Sequence, residues 1–346
     1  MRYPLSRLEE FVASVLVSVD VLPDHAWTTA RCLLAADLRG RTGHGIIRVP
    51  LYIRRIEGGA INLRPSISLE RETPVSALVD GDNGLGQVVM DFATNTAIEK
   101  ASTMGMSWVG TTRSNHAGAA GVYTSMALEH DLIAVYMAVA SANVMPPWGG
   151  RERLLGTNPI SVAIPGGHEP PFLLDIATTV ASHGTIKVLA QRGESMPLGW
   201  VMDPDGNPIT DPRLADEGFL MPIGGYKGSG LNMAIGLLAG VLNGAAFGSD
   251  VIDHRAVPDA AANVGQAIFV MRPDLFRDLD DFKQEMDRQL REMRAAGEPG
   301  QVQIPGETAL RLEMEQRRDG VEVPEPLLDE LRQVARRLGV PDDLTD

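Results

Sequence analysis

The hydrophobic pattern changes period twice along this chain, and that constrains the fold more than any single motif does. Near the N-terminal end Leu5, Leu8, Val12, Val15, Leu16 and Val19 recur at helical spacing, and Ser6-Arg7-Leu8-Glu9 fits a capping box. Pro23-Asp24 opens a second helix with Ala26, Ala30, Leu33 and Leu34 on one face and a stop at Gly40. A third is expected from about Gly45 through Ile47, Leu51 and Arg55, with Pro50 tolerable only close to its first turn. From Pro74 the pattern shortens. PVSALVD, Trp108 to Gly110, LIAVYMAVAS, ISVAIP and PFLLDIA read as strands, with helices from about Val88 to Ser102 and Ala117 to Glu129 between them. TIKVLAQRG reads either way. Beyond these, FKQEMDRQLREMRAAG and LLDELRQVARRLG are charged amphipathic helices again, with VQIPGE extended between them. The expected class is α/β, mixed α+β, with the helical ends packed together around a β-rich middle.

Composition narrows the partners. A chain of 346 residues suggests about two domains. A formal net charge of −14 argues against nucleic acid or an anionic membrane as a main partner, since both need a basic surface. It leaves room for an anionic small molecule in a local basic pocket. Cys32 is the single cysteine, so neither an intrachain disulfide nor a cysteine-pair zinc site is available. Met1 to Asp20 is amphipathic and acidic rather than a signal peptide, and a reducing cytoplasm is the expected location. The longest apolar run, from Leu231, holds two asparagines and falls short of the roughly 20 residues of a membrane span, so a buried core helix is expected there.

Four stretches carry candidate chemistry. GLGQVV lacks the third glycine of a dinucleotide fingerprint. In PIGGYKGSG, Gly224, Gly225, Gly228 and Gly230 allow close backbone approach to a ligand and Lys227 adds charge, although a plain tight turn fits equally. In RSNHAGAAG, Asn115 is placed to cap a helix, and His116 at its start is either a structural group or a neutral imidazole beside a ligand. Asp175 interrupts an apolar strand, as a turn cap or as an acceptor for a ribose or amide. The strongest pair is His44 and Arg48, one helical turn apart. The guanidinium can grip a carboxylate bidentately and the imidazole can transfer a proton, although a cap and a salt bridge are the bland alternative. His25, His130, His168 and His254 read as structural.

In order along the chain, DLRGRTGHGIIRVPLY, VDGDNGLGQ, SNHAGAAGVY, GTNPISVAIP, LLDIAT, DPDGNPITDP, PIGGYKGSGL and IPGE make the sequence resemble the malate/L-lactate dehydrogenase family that lacks a Rossmann fold. That family also includes ureidoglycolate, sulfolactate, diketogulonate and cyclic-imine carboxylate enzymes. The resemblance implies an oxidoreductase that uses NAD or NADP on small 2-oxo or 2-hydroxy acids, and a homodimer. It implies a cofactor-binding domain over residues 105–258, and a substrate and dimerisation region made of 1–104 with 259–346. His44 falls on the family's acid, Arg48 on its carboxylate-binding arginine, and His116 on a histidine that serves as acid/base in some members. Thr157, with the His183-Gly184 stretch, would line the substrate pocket. The cofactor would lie against His116, Ala117, Gly118, Ala119, Ala120, Asp175, Ile176, Ala177, Lys227, Gly228, Gly306 and Glu307. Two positions depart from the pattern. Gly43 stands where a serine is usual, and Thr185 follows His183-Gly184 where some cyclic-imine reductases place an acid. A cyclic-imine reductase and a non-catalytic anion-binding member are the alternatives.

Overall fold

The computed structural model describes residues 2–342 and 344, with the backbone alone for His183, Val188 and Gln191. The helices are α1 (Leu5–Val17), α2 (Pro23–Leu38), α3 (Val49–Glu57), α4 (Gly86–Met104), α5 (Ala120–Leu128), α6 (His183–Arg192), α7 (Tyr226–Ala239), α8 (Leu279–Arg294), α9 (Glu307–Asp319) and α10 (Glu325–Arg337). The strands are β1 (Arg2–Tyr3), β2 (Ser68–Thr73), β3 (Ser76–Asp80), β4 (Met106–Ser114), β5 (Ile133–Ala138), β6 (Ile160–Ile164), β7 (Phe172–Ile176), β8 (Val201–Met202), β9 (Pro208–Ile209), β10 (Phe219–Leu220), β11 (Val264–Met271) and β12 (Val321–Glu322).

Helical spacing at the two ends has one cause. Leu8, Val12 and Leu16 of α1, Leu33 and Leu34 of α2, Ile53 of α3, and Leu328, Leu331 and Ala335 of α10 bury their faces in a single core. A β1–β12 pair joins the ends antiparallel, Tyr3 opposite Val321. The expected packing of the terminal helices is therefore present.

The middle is a seven-stranded mixed sheet in the order β2-β3-β4-β11-β5-β6-β7. Its one parallel pair, β3 with β4, is bridged by α4. Strand alternation explains the layers. Val109, Ala134, Tyr136, Ile268 and Val270 face α4 and α5, while Met137 and Ala267 face Ile235 and Ala239 of α7. The sheet takes β2, β3 and β11 from outside residues 105–258, so strand pairing crosses both expected domain boundaries. A smaller sheet, β10-β8-β9, packs with α6 over Val144, Ile186, Met196 and Val201.

Several local expectations change. Pro4 opens α1 and no side chain caps it, so the Ser6 capping box is not formed. The third helix begins at Val49, because residues 42–44 and 46–48 make two separate 3-10 turns, which leaves Pro50 in the first turn. Helix α5 starts at Ala120, because Gly118 turns left-handed at φ +81° and Asn115 is engaged elsewhere. TIKVLAQRG is helical as far as Arg192, within α6, and α9 adds a helix that was not among those expected. The apolar run is not wholly buried: Leu231, Leu237, Leu238, Val241 and Leu242 are exposed. No described helix is long and apolar enough to cross a membrane.

Candidate active site

The site begins with a buried acid. Asp37, at the end of α2, accepts the Ile46 N–H at 2.8 Å. A Cβ on Gly45 would lie 2.0 Å from its Oδ1, so only glycine lets the chain pass. This packing, rather than a helix turn, aims His44. At Gly43 a Cβ would meet nothing within 4 Å, and the Gly43 carbonyl accepts Arg48 Nε at 2.7 Å. Gly45→Ala should therefore cost about 1–3 kcal/mol by overpacking, read as a lower denaturant midpoint. Gly43→Ser, which restores the family's hydroxyl, should leave that midpoint unchanged.

Three imidazoles then converge from distant parts of the chain. His44 stacks on His116 at 5.7 Å between centroids and 10° between planes, and His254 tilts against His116 at 5.5 Å. The Tyr52 hydroxyl, on α3, lies 2.7 Å from His116 Nδ1, and Gln87 Nε2 donates to the same hydroxyl at 2.7 Å. Arg48 forms no ion pair among the described residues, so the salt-bridge alternative for it is not realised. Arg55 is 2% exposed and donates to Asn115 Oδ1 and the Ala260 carbonyl, while its Nη1 has no partner.

These surroundings fix the charges. Burial, then the Arg48 guanidinium, pushes His44 down to about 4 and His254 to about 3, and holds His116 well below the usual histidine range. Burial pushes Tyr52 up to about 12. Near neutral pH the imidazoles are neutral, the phenol keeps its proton, and guanidinium groups supply the charge. The chain is acidic, but this cleft is cationic.

Stability follows with a definite sign. A ring kept neutral in the fold binds its proton more readily in the unfolded chain, so stability falls as pH drops from 6.5 toward about 4 for His44 and about 3 for His254. Burial pushes Asp37 up to about 7, so that group opposes folding increasingly as pH rises from about 4 to about 7. Burial raises Asp91 and Asp175 in the same sense as Asp37, while Asp80, Asp253, Asp287 and Glu313 are held low and act with the three histidines, so the losses on acidification prevail. The urea midpoint should fall on acidification from pH 6.5 to 4, and His254→Gln should make that fall shallower.

The expected cofactor residues divide into groups. Ala119, Asp175 and Gly306 line one cavity of about 120 Å³ together with Arg39, Arg41, Gly121 and Thr308. Asp175 Oδ2 accepts the Gly121 N–H at the start of α5, so it caps a helix on a neighbouring element, and Arg41 Nε lies 3.9 Å away. Burial raises its carboxyl. A Cβ on Gly121 would press on that carboxylate and one on Gly306 would meet Leu173, so glycine is needed at both positions for the segments to come this close. Ile176 and Ala177 end and follow β7, and Ala117, Gly118 and Ala120 form the turn into α5. Glu307 accepts from Arg294 and the Ile304 N–H, which makes it an anchor for α9.

Lys227 is exposed in the first turn of α7, and Gly228 is needed there because a Cβ would lie 1.8 Å from the Ile223 carbonyl. The Thr157 carbonyl accepts from Thr178, next to an Asn158–Asn232 contact with α7. Gly184 is exposed at the start of α6, and the His183 side chain lies outside the described part. No hydrogen bond or ring contact joins Thr157, Gly184 or Lys227 to the histidines among the described residues. GLGQ is not a phosphate cradle of the Rossmann kind. Gly86 lets α4 press on the Asn115 and His116 carbonyls, 2.3 and 2.5 Å from where a Cβ would stand. Tyr52 and Gln87 were not singled out in the sequence, and His254, read as structural, packs against His116. Tyr52 alone left a trace, four residues beyond Arg48.

A mixed sheet flanked by helices thus carries three clustered imidazoles under the influence of Arg48 and, separately, a glycine-lined cavity beside Asp175. The chain belongs to the malate/L-lactate dehydrogenase family, whose model matches residues 3–332. It is 37% identical over 334 residues to the L-sulfolactate dehydrogenase of Methanocaldococcus jannaschii, covering 96% of each chain. The solved sulfolactate dehydrogenase from that organism superposes with a TM-score of 0.91 at 35% identity, over 100% of both chains. A ureidoglycolate dehydrogenase (NAD(+)) of Escherichia coli O157:H7 is 35% identical over 89% of this chain and 88% of its own. A (2R)-3-sulfolactate dehydrogenase (NADP(+)) of Chromohalobacter salexigens is 30% identical over 96% and 97%.

Proposed function

We propose that this protein moves a hydride between NAD(P) and C2 of a small 2-hydroxy or 2-oxo carboxylic acid. When bound, the nicotinamide supplies or takes up the hydride. Arg48 grips the substrate carboxylate, and it has the free guanidinium edge to do so bidentately. His116 takes the hydroxyl proton during oxidation and returns it during reduction, because among the described residues it is the one clustered imidazole with an orienting side-chain hydrogen bond, to Tyr52. His44, the acid expected from the resemblance, stacks alongside and excludes water from one face of His116. The cavity between Asp175, Arg41 and Gly306 suits the polar part of a dinucleotide, with Asp175 Oδ1 placed to accept a ribose hydroxyl.

The observation that carries this reading is the stacked His44–His116 pair under the electrostatic influence of Arg48, which has no ion-pair partner among the described residues. The test mixes the protein with NADH or NADPH and a panel of 2-oxo acids and follows the loss of nicotinamide absorbance. Turnover supports the reading. Acid binding without turnover would instead make the protein a non-catalytic anion binder. Thermal protection by one cofactor over the other selects between NAD and NADP.

We further infer a homodimer, supported by the exposed apolar ridge Leu231, Leu238, Val241 and Leu242 on and after α7. Leu238→Glu with Leu242→Glu should convert a sedimenting dimer into monomer.

A further inference from the structure

We propose that Gln87, acting through Tyr52, selects which nitrogen of His116 carries the proton in the neutral ring, and so decides whether Nε2 is free to take the substrate proton in oxidation; reduction runs the same step backwards from the imidazolium. This rests on the reading that His116 moves the substrate proton.

The three groups form a hydrogen-bonded chain with two buried members and a partly exposed His116 at its end. Gln87 is 0% exposed and Tyr52 3% exposed. Gln87 occupies the first turn of α4, brought against His116 by the close approach at Gly86. Gln87 Nε2 and His116 Nδ1 each stand 2.7 Å from the Tyr52 oxygen. Gln87 Oε1 is buried and has no partner. The other groups facing His116 are His44, Arg48 and Arg55 on the approach to α3 and within it, and His254 on the loop before β11.

A phenol has one proton, and that makes the chain directional. With Gln87 Nε2 donating to Tyr52, the hydroxyl proton is left for His116 Nδ1 at 2.7 Å in preference to the more distant His116 carbonyl at 3.4 Å. Nδ1 is then a bare acceptor and Nε2 carries the hydrogen. In this form the ring can hydrogen-bond a substrate oxygen through Nε2–H, but it cannot take a proton there and would become an imidazolate on giving one up. To act as base, the ring must carry its hydrogen on Nδ1 and donate it to Tyr52. The Tyr52 proton then needs another acceptor; the His116 carbonyl at 3.4 Å is a long one, and a half-turn of the Gln87 amide brings the orphaned Oε1 to the place Nε2 held, at 2.7 Å. The two amide orientations have the same shape.

During oxidation the substrate O–H bond breaks and an Nε2–H bond forms on His116. The C2 hydride leaves to the nicotinamide and the carbonyl double bond closes. The imidazolium keeps Nδ1–H on Tyr52, and the Tyr52 proton rests on Gln87 Oε1. The ring then releases its proton from Nε2 to solvent, which balances the step. A glutamine can support both states. A glutamate supports only the second and adds negative charge beside the ring.

The test compares the wild type, Gln87→Glu, Tyr52→Phe and His116→Gln. Nicotinamide binding and thermal midpoints serve as checks on folding. Gln87→Glu should move the pH midpoint of kcat/KM for oxidation upward by about one unit or more, and Tyr52→Phe should lower kcat about tenfold or more in both directions. Histidine 15N shifts in the wild type and in Tyr52→Phe give a second readout that is independent of the glutamate variant: the His116 tautomer should change between them. If His116→Gln is inactive but Gln87→Glu overlays the wild-type pH profile and the tautomer does not change, this inference falls and the proposed function stands. If His116→Gln keeps wild-type turnover, the proposed function itself falls.

Discussion

His116→Gln should lower kcat about a thousandfold in both directions while nicotinamide binding stays within a fewfold of wild type. The reasoning is positional. His116 is held at Nδ1 by Tyr52 and flanked by two further rings, so its free nitrogen has a fixed direction. Glutamine can still reach Tyr52 and fill space, but it cannot take up a proton near neutral pH. Steady-state rates with a 2-hydroxy acid and with its 2-oxo partner read the effect. His44→Ala should lose much less, since it removes packing rather than the proton carrier. If that variant loses a thousandfold while His116→Gln turns over normally, the roles are reversed.

Arg48→Lys should raise KM for the acid by tens of fold with a smaller change in kcat, because an ammonium cannot reproduce the planar two-pronged grip. Arg48→Met should do more. The guanidinium is the second cause, after burial, of the depressed pKa of His44, His116 and His254. Removing it should let those rings titrate at higher pH, so the acidic limb of kcat/KM for oxidation should move upward. A substrate carboxylate docking on Arg48 should act in the same direction. The midpoint of kcat should therefore lie above that of kcat/KM in the wild type. An unchanged KM in Arg48→Lys would place the carboxylate elsewhere.

Much of this architecture was legible where the signal was local. The face of α1 could be read from Leu8, Val12 and Leu16, and β3, β5, β6 and β7 from short apolar runs. The exact path through His44 to Arg48 was not, because it depends on Asp37 reaching across to Ile46. The family blocks named Arg48, His44 and His116. No spacing pointed to Gln87 or His254, which come within reach of His116 only after α4 docks and β11 is placed. Helix α9 was missed because Gly306, at φ +101°, and the fixing of Glu307 by Arg294 start it, and both are tertiary matters. The exposed side of α7 was misjudged because an apolar run shows hydrophobicity without showing what will cover it.

The position of β11 has a consequence for how the chain is made. It is the last strand of the large sheet to be synthesised, yet it pairs with β4 on one side and β5 on the other. A nascent polypeptide that ends before Val264 holds two three-stranded pieces, each with a bare edge of unpaired amides. The halves can join only once that late segment has emerged and slotted between them. Until then a molecular chaperone, or a neighbouring nascent copy, competes for the same open seam.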